Sequence, residues 1–312
     1  MIPNLSIVIP VYNSEKILPN LTAEIFLALK DKIGFEIILV DDFSMDESWK
    51  IINDLAAENS AITGVRLRKN SGQDNSIMAG LSFAKGDYIA IMDDDLQHSP
   101  SDLLKLYEAC KNGFDVCYGN FIKKNQSVIK NIGSSVNGKT AEVLISKPKQ
   151  IYLSPFKVFT KAMAEEILKY TGPYPYVDGI ILTITSNITQ IDLKHQKRQT
   201  GKSNYSFGKS ISVYLKVITS FSVIPLRIAT IGGFIATIFG VILAFYYLYD
   251  YFIAKNFIEG WTTLVVLILF FGGLVLISLG VIGEYIGRIY LSQNKKPQYS
   301  ISEVIFGKKK NE

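Results

Sequence analysis

Four short apolar runs mark the first hundred residues: Leu5–Val11, Glu36–Val40, Gly64–Leu67 and Tyr88–Met92. Between them lie stretches with helical spacing of apolar positions, Ile17–Lys30, Glu47–Asn59 and Asn75–Ala84. Buried strands alternating with helices predict a parallel α/β sheet. Ligands of such sheets gather outside the carboxyl ends of the strands. Each run here gives way to polar residues at that end: Pro10-Val11-Tyr12-Asn13, Asp41-Asp42-Phe43-Ser44, Lys69-Asn70-Ser71-Gly72 and Asp93-Asp94-Asp95-Leu96-Gln97. All four are expected along one rim. The next part is less regular. Gly119–Lys149 is basic, with a helix expected near Ser134–Ile145. Phe156–Tyr170 reads as an amphipathic helix, Asp178–Ile188 as another, and Gln190–Lys194 as a short strand.

The pattern then changes. Ile228–Tyr249 and Gly260–Gly283 are uncharged, and each exceeds the roughly 20 residues that a helix needs to cross a bilayer core. Tyr246, Tyr247, Tyr249, Tyr251 and Trp261 flank them like interfacial aromatics. Ahead of them, Phe207, Ile211, Tyr214, Leu215, Ile218 and Phe221 fall mostly on one side of a helix, with Lys209 and Lys216 elsewhere. That suits a helix lying in the headgroup plane before Pro225 opens the first span. The expected domains are therefore 1–206, an α/β unit; 207–225, an interfacial helix; 226–290, two spans at about 228–249 and 260–283; and 291–312, a basic tail.

Composition sharpens this reading. Hydrophobic residues make up an ordinary 48% of the 312, yet the mean hydropathy is +0.21. The apolar residues are concentrated: residues 221–294 hold only Arg227, Asp250, Lys255, Glu259, Glu284 and Arg288 as charges. A disordered chain, a collagen, a disulfide-stapled miniprotein and a purely soluble protein are excluded. The net charge is +5, and its distribution matters more than its sum. Lys194–Lys216 carries Lys194, Lys197, Arg198, Lys202, Lys209 and Lys216 with no acid, and Lys295, Lys296, Lys308, Lys309 and Lys310 follow the second span. The positive-inside rule then puts both termini in the cytoplasm and Asp250–Glu259 outside. MIPNLSIVIPVYN lacks a basic leader, so no cleaved signal peptide is expected. Cys110 and Cys117 have no metal or redox spacing and read as reduced structural thiols.

Asp93 and Asp95 stand first and third in an extended segment and so project to one side. Such a pair can hold a hard divalent cation and leave positions open for a diphosphate. The structural alternative is a cap for the helix that Ser99-Pro100 begins. Asp41-Asp42 can accept hydrogen bonds from ribose hydroxyls or a base N–H, and Tyr12 can lie beside a base. The chain has no G-x-G-x-x-G and no P-loop, which disfavours dinucleotide oxidoreductases and P-loop enzymes. Lys123, Lys124, Lys130, Lys197, Arg198, Lys202 and Lys209 can attract anionic headgroups. Nucleic-acid binding is poorly supported, because this basic region leads straight into membrane. Arg198-Gln-Thr-Gly-Lys-Ser-Asn-Tyr205 combines glycine, hydroxyls and fixed charge, the parts of an anion-binding loop.

Taken together, Ile9-Pro-Val-Tyr-Asn13, Val40-Asp-Asp-Phe-Ser44, Asn70-Ser-Gly72 with Ala79-Gly-Leu81, Ala84-Lys-Gly-Asp-Tyr88 and Met92-Asp-Asp-Asp-Leu-Gln97 resemble glycosyltransferase family 2. Arg198-x-x-Gly-x-Ser-x-Tyr, Pro225-Leu-Arg227 and Ile282-Gly-Glu-Tyr-Ile-Gly-Arg-Ile-Tyr290 resemble its polyisoprenyl-phosphate branch. That branch includes dolichol-phosphate mannose synthases and bacterial enzymes acting on undecaprenyl phosphate. The resemblance covers nearly the whole chain. It implies a GT-A (Rossmann-like) α/β catalytic domain with interfacial helices and a C-terminal two-helix transmembrane domain in the cell membrane. It implies a hexosyltransferase that moves a sugar, with inversion, from a nucleotide sugar to a polyprenyl phosphate for cell-envelope glycans. By position, Asp93, Asp95 and Gln97 would hold Mg²⁺ or Mn²⁺. Pro10, Tyr12, Asn13 and Asp41, with Asp42, Gly72 and Asp94, would bind the donor. Arg198 and Ser203 would close a mobile loop over the site, with Arg198 catalytic, and would meet the acceptor phosphate together with Lys123, Lys124 and Lys130.

The chain departs from the pattern in two places. Lysines stand where relatives often have arginines for the lipid phosphate, and a lysine gives no bidentate fork. Pro155 stands where some relatives have an acid, so no general base is assigned there; Asp178 reads equally as a base or a helix cap. Relatives often self-associate, which implies a homo-oligomer. The rivals are a processive polysaccharide synthase, for which a Q-x-x-R-W helix and further spans are missing, and an inactive membrane-tethered nucleotide-sugar-binding protein.

Overall fold

The computed structural model describes residues 3–121, 151–193, 223–249, 260–294 and 296–308. They divide into two units, Met1–Ile211 with Lys295–Glu312, and Ser212–Asn294.

The first unit is built on an eight-stranded sheet in the order β7-β5-β6-β4-β1-β2-β3-β8. Its first half follows the apolar pattern closely: β1 Leu5–Val11, α1 Leu18–Leu29, β2 Phe35–Asp41, α2 Ser48–Glu58, β3 Ile62–Leu67, α3 Gln73–Leu81 and β4 Tyr88–Ile91. β1 pairs in parallel with β2 and β4, and β2 with β3. These strands are apolar because helices cover them; every residue of β1 is buried. α3 approaches closely through Gly80, where an added Cβ would sit 2.4 Å from Val8 Cγ1 and 3.0 Å from Val40 Cγ2. A short helical turn, Pro100–Asp102, leads into α4 Leu103–Lys111 and β5 Val116–Phe121.

Two expectations need correction. Phe156–Tyr170 is not one helix: β6 Lys157–Thr160 precedes α5 Lys161–Leu168. The pairing partners explain it. β6 lies antiparallel between β4 and β5, with Lys157 opposite both Ile91 and Tyr118, and tertiary pairing overrides a short helical spacing. Thr160 marks the change, its hydroxyl accepting the Met163 N–H as an N-cap. The helix expected over Asp178–Ile188 is shorter, α6 Val177–Ile184, and β7 starts at Ile188 and runs to Leu193.

The segment read as a lysine-rich tail supplies β8 Ile301–Phe306, antiparallel to β3. The sheet is therefore mixed, and β8 covers what would be the open edge of β3. The segment is fastened further by Gln298, whose amide donates to the carbonyls of Tyr170 and Gly172 at 3.0 and 2.7 Å. Both cysteines are free and buried, and burial pushes each thiol up to about 12, which suits inert core thiols.

The second unit contains α7 Ile224–Tyr249 and α8 Trp261–Gln293, which touch each other. Both are long and apolar enough to cross a membrane. Almost none of their apolar length is buried, unlike a core helix of a soluble protein. Phe234, Ile242, Leu269 and Leu276 face outward, an apolar surface that water would penalise and hydrocarbon would not.

Candidate active site

The carboxyl ends of β1 to β4 surround a cleft of about 390 Å³. Pro10, Tyr12, Asp42, Gly72, Asp93, Asp94 and Asp95 line it, all of them singled out in the sequence, along with Val11, Asn70, Gln73 and Ser76. Asn13, Asp41 and Gln97 are not part of this lining. Lys123, Lys124, Lys130, Arg198 and Ser203 lie outside the described residues, as do the interfacial segment up to residue 222 and the helix expected near Ser134–Ile145.

On the β1–β3 side, the two neighbouring aspartates do different work. Asp42 accepts the N–H groups of Ser71 and Gly72 at 2.6 and 2.8 Å. It thereby shapes the turn into α3, where Gly72 takes φ of 91°. Asp41 is fully buried; it accepts the Ser44 N–H at 3.0 Å and pairs with Arg66 at 3.2 Å. Burial raises the pKa of both acids, and their hydrogen bonds oppose the rise, with Arg66 opposing it too at Asp41. Asn13 ties the ends of β1 and β2 together. Its N–H donates to Ser44 Oγ at 3.0 Å and its Oδ1 accepts the Met45 N–H at 2.9 Å. Asn13, Phe43 and Leu96 all take left-handed φ, at 54°, 60° and 57°. Such strain in residues other than glycine collects at functional sites.

At the end of β4 the acid triplet splits its tasks. Asp94 turns back to accept the Ser14 hydroxyl and the Tyr12 N–H, which fixes the Tyr12 loop. Asp93 accepts the Gln73 amide at 2.8 Å. Asp95 accepts the Gln97 backbone N–H and side-chain amide at 3.1 and 2.7 Å across the left-handed Leu96. Burial first, then repulsion from Asp95 and Asp94, pushes Asp93 up to about 7.

The sequence reading missed a polar cluster beside Asp93. Lys157, buried at the start of β6, forms an ion pair with Asp178, which also accepts the Tyr118 hydroxyl at 2.9 Å. Asp178 is thus engaged twice, in the first turn of α6. Asp74 accepts the Val177 N–H at 3.1 Å, and burial pushes it up to about 6. Lys157 lowers both Asp74 and Asp93 electrostatically. Gln73 and Asp74 directly follow the Asn70-Ser-Gly72 motif, a cue that was present. Lys157 gave no cue, because its segment read as a helix.

A divalent cation fits this chemistry. Three carboxylates crowd one strand end, and a cation would offset both the burial and the mutual repulsion that raise Asp93. Among the described residues no three acid, histidine or cysteine side chains converge into a metal cage. A hard divalent cation of the Mg²⁺ type needs only one or two carboxylates together with substrate phosphates, and Asp93 and Asp95 offer that many.

Residues 6–168 match the family model described as Glycosyl transferase family 2. Undecaprenyl-phosphate 4-deoxy-4-formamido-L-arabinose transferase of Pectobacterium atrosepticum is 31% identical over 97% of this chain and 94% of its own. The protein of the same description from Photorhabdus laumondii is 30% identical over 100% and 97%. Among solved structures, glucosyl-3-phosphoglycerate synthase from Mycobacterium tuberculosis, in complex with Mn²⁺, UDP-glucose and phosphoglyceric acid, matches with a TM-score of 0.53 at 15% identity. That match covers 70% of this chain and 78% of that one. It establishes a shared GT-A-like fold.

Proposed function

This chain belongs to glycosyl transferase family 2, and from that premise we propose that it transfers a sugar from a nucleotide sugar to a polyprenyl phosphate, with inversion and with the help of Mg²⁺ or Mn²⁺. The observation that carries the reading is the acid triplet at the end of β4, set in a cleft whose other wall is the Asp42-held turn. The names of the full-length relatives point to the lipid phosphate as acceptor. The Mn²⁺ and UDP-glucose complex of the structural neighbour is consistent with the donor class and the metal.

In this reading Tyr12, Asn13 and the 41–45 loop receive the nucleoside, and Asp93 and Asp95, with Gln97, hold the metal. The metal would neutralise charge gathering on the departing diphosphate. The nucleophile is a phosphate monoester with a second pKa of about 6, already largely ionised, so positioning matters more than a strong base. That fits Asp178, which is committed to Lys157 and Tyr118. Arg198, Ser203, Lys123, Lys124 and Lys130 are proposed to bring positive charge to the acceptor phosphate. The test is transfer of label from UDP-, GDP- and dTDP-sugars to undecaprenyl phosphate; no transfer from a donor panel that includes amino- and deoxy-sugars would overturn the reading.

Metal binding carries its own expected result. With the folded pKa of Asp93 raised to about 7, the folded metal-free protein holds a proton more readily than the unfolded chain. Its stability therefore gains from this group on acidification and loses it as pH rises from the ordinary carboxylate range through about 7. Cation binding must displace that proton. The rise in Tm on adding Mn²⁺ should thus be larger at pH 7.5 than at pH 6, and should vanish in Asp93→Asn. An unchanged rise in Asp93→Asn would remove Asp93 from the metal site, and an equal rise at both pH values would show that no proton is displaced from it.

We also propose a membrane topology with both ends of the helical pair on the cytoplasmic side. β3 precedes α7, β8 follows α8, and the two strands pair, so the chain returns to the side it left. Lysine and arginine on that side give the orientation. A cysteine at position 255 should react with an impermeant thiol reagent on intact cells, and one at 309 should not. The opposite labelling would refute the orientation.

A further inference from the structure

β8 does more than cover an edge. In the β3–β8 pairing Glu303 stands opposite Arg66, and its carboxylate accepts the indole N–H of Trp49 at 3.2 Å. Trp49 is buried, and a buried indole N–H needs a partner. The Arg66 guanidinium lies 5.6 Å from the Trp49 ring centroid and 5.9 Å from that of Phe43. Close to both rings, it pairs with Asp41. Asp41 fixes Ser44, and Ser44 fixes Asn13, next to the cleft residue Tyr12. An unbroken set of contacts thus runs from a residue beyond the second apolar helix to the nucleoside side of the cleft.

We infer that Glu303 is a positioning residue for nucleotide binding, acting through Trp49 and Arg66 on the loops at residues 12–13 and 41–45. Each link suits its task. The planar guanidinium can stack on two rings and still present Nε to a carboxylate, which a lysine could not do. Ser44's hydrogen bonds and, after them, that cation favour the charged form of the buried Asp41. Without the acceptor at position 303 the indole can turn, the stack loosens, and the 41–45 loop loses its fixed side. The nucleotide then has to order the loop as it binds, which weakens affinity and leaves the reacting groups at the end of β4 untouched.

The inference rests on the nucleotide-sugar reading, and the test separates the two. Binding of UDP, GDP and dTDP with Mn²⁺ is measured calorimetrically on the full-length protein in nanodiscs, with Tm for each variant. Glu303→Ala and Trp49→Phe should each raise the Kd of the nucleotide that binds by about three- to tenfold, the scale of one lost hydrogen bond. Glu303→Gln, which keeps an acceptor, should stay within about twofold. In transfer assays the donor KM should rise with kcat unchanged. Wild-type Kd in Glu303→Ala, or a lowered Tm with unchanged Kd, would overturn the inference and leave the function standing. If Glu303→Ala does not fold, Trp49→Phe decides by the same criterion. If the wild-type protein binds none of the three nucleotides, the nucleotide-sugar reading falls and the inference falls with it.

Discussion

Asp95→Asn is expected to lower sugar transfer by about a thousandfold, the upper scale for removing one electrostatic stabiliser of a developing charge. The substitution keeps shape and volume. Its side-chain oxygen can still accept from Gln97, so the left-handed turn at Leu96 should survive. What disappears is one of the two charges proposed to hold the cation. An amide oxygen is a weaker ligand for a hard ion, and the departing diphosphate would keep its charge. Transfer at saturating donor and acceptor, with membrane levels and Tm matched to wild type, checks it. Activity within tenfold of wild type would mean that Asp95 is not a metal ligand.

Lys157→Met should destabilise the sheet-bearing unit by about 3–5 kcal/mol, the cost of breaking a buried ion pair from one side. Lys157 and Asp178 side chains are 3% and 15% exposed, so water cannot replace the lost partner. Asp178 would be left with the Tyr118 hydroxyl, with Asp74 nearby adding repulsion. Adding Asp178→Asn removes the stranded charge and should restore at least half of the loss. Thermal unfolding of the two single variants and the double variant gives the coupling. A single variant as stable as wild type would show that the pair contributes nothing.

How much of this was legible in the sequence depends on where each signal sits. β1 to β4 and their helices were readable because a strand covered by helices must be apolar along its length, and each stands between clear helical patterns. The acid triplet was readable for a related reason: Tyr88–Ile91 ends abruptly in three carboxylates, and no core can account for them. β6 was not readable. Four residues are too few to display a period, and their identity as a strand comes from β4 and β5 on either side. β8 was hidden by composition, since the lysines around it resemble a headgroup-binding tail. Its Ile301, Val304, Ile305 and Phe306 make sense only against β3. The same separation concealed the divided labour of Asp41 and Asp42. Adjacent and alike in the sequence, one is buried against Arg66 while the other shapes a turn 29 residues further on.

The β3–β8 pairing also sets an order of events during biosynthesis. Arg66 and Ser302, hydrogen-bonded in the finished sheet, are 236 residues apart. At translation rates of about 5–20 residues per second, β3 waits roughly ten to fifty seconds for its neighbour. In that interval both apolar helices leave the ribosome and must find lipid. The nascent catalytic unit therefore spends its first moments with an unpaired strand edge, the kind of edge that recruits strands from other chains. Its last strand is delivered only after the membrane segments have been made, so a chain stalled before them would carry an unfinished nucleotide site. Completion of the sheet would then follow synthesis of both apolar helices, and a half-made chain would hold its nucleotide more weakly than the finished one.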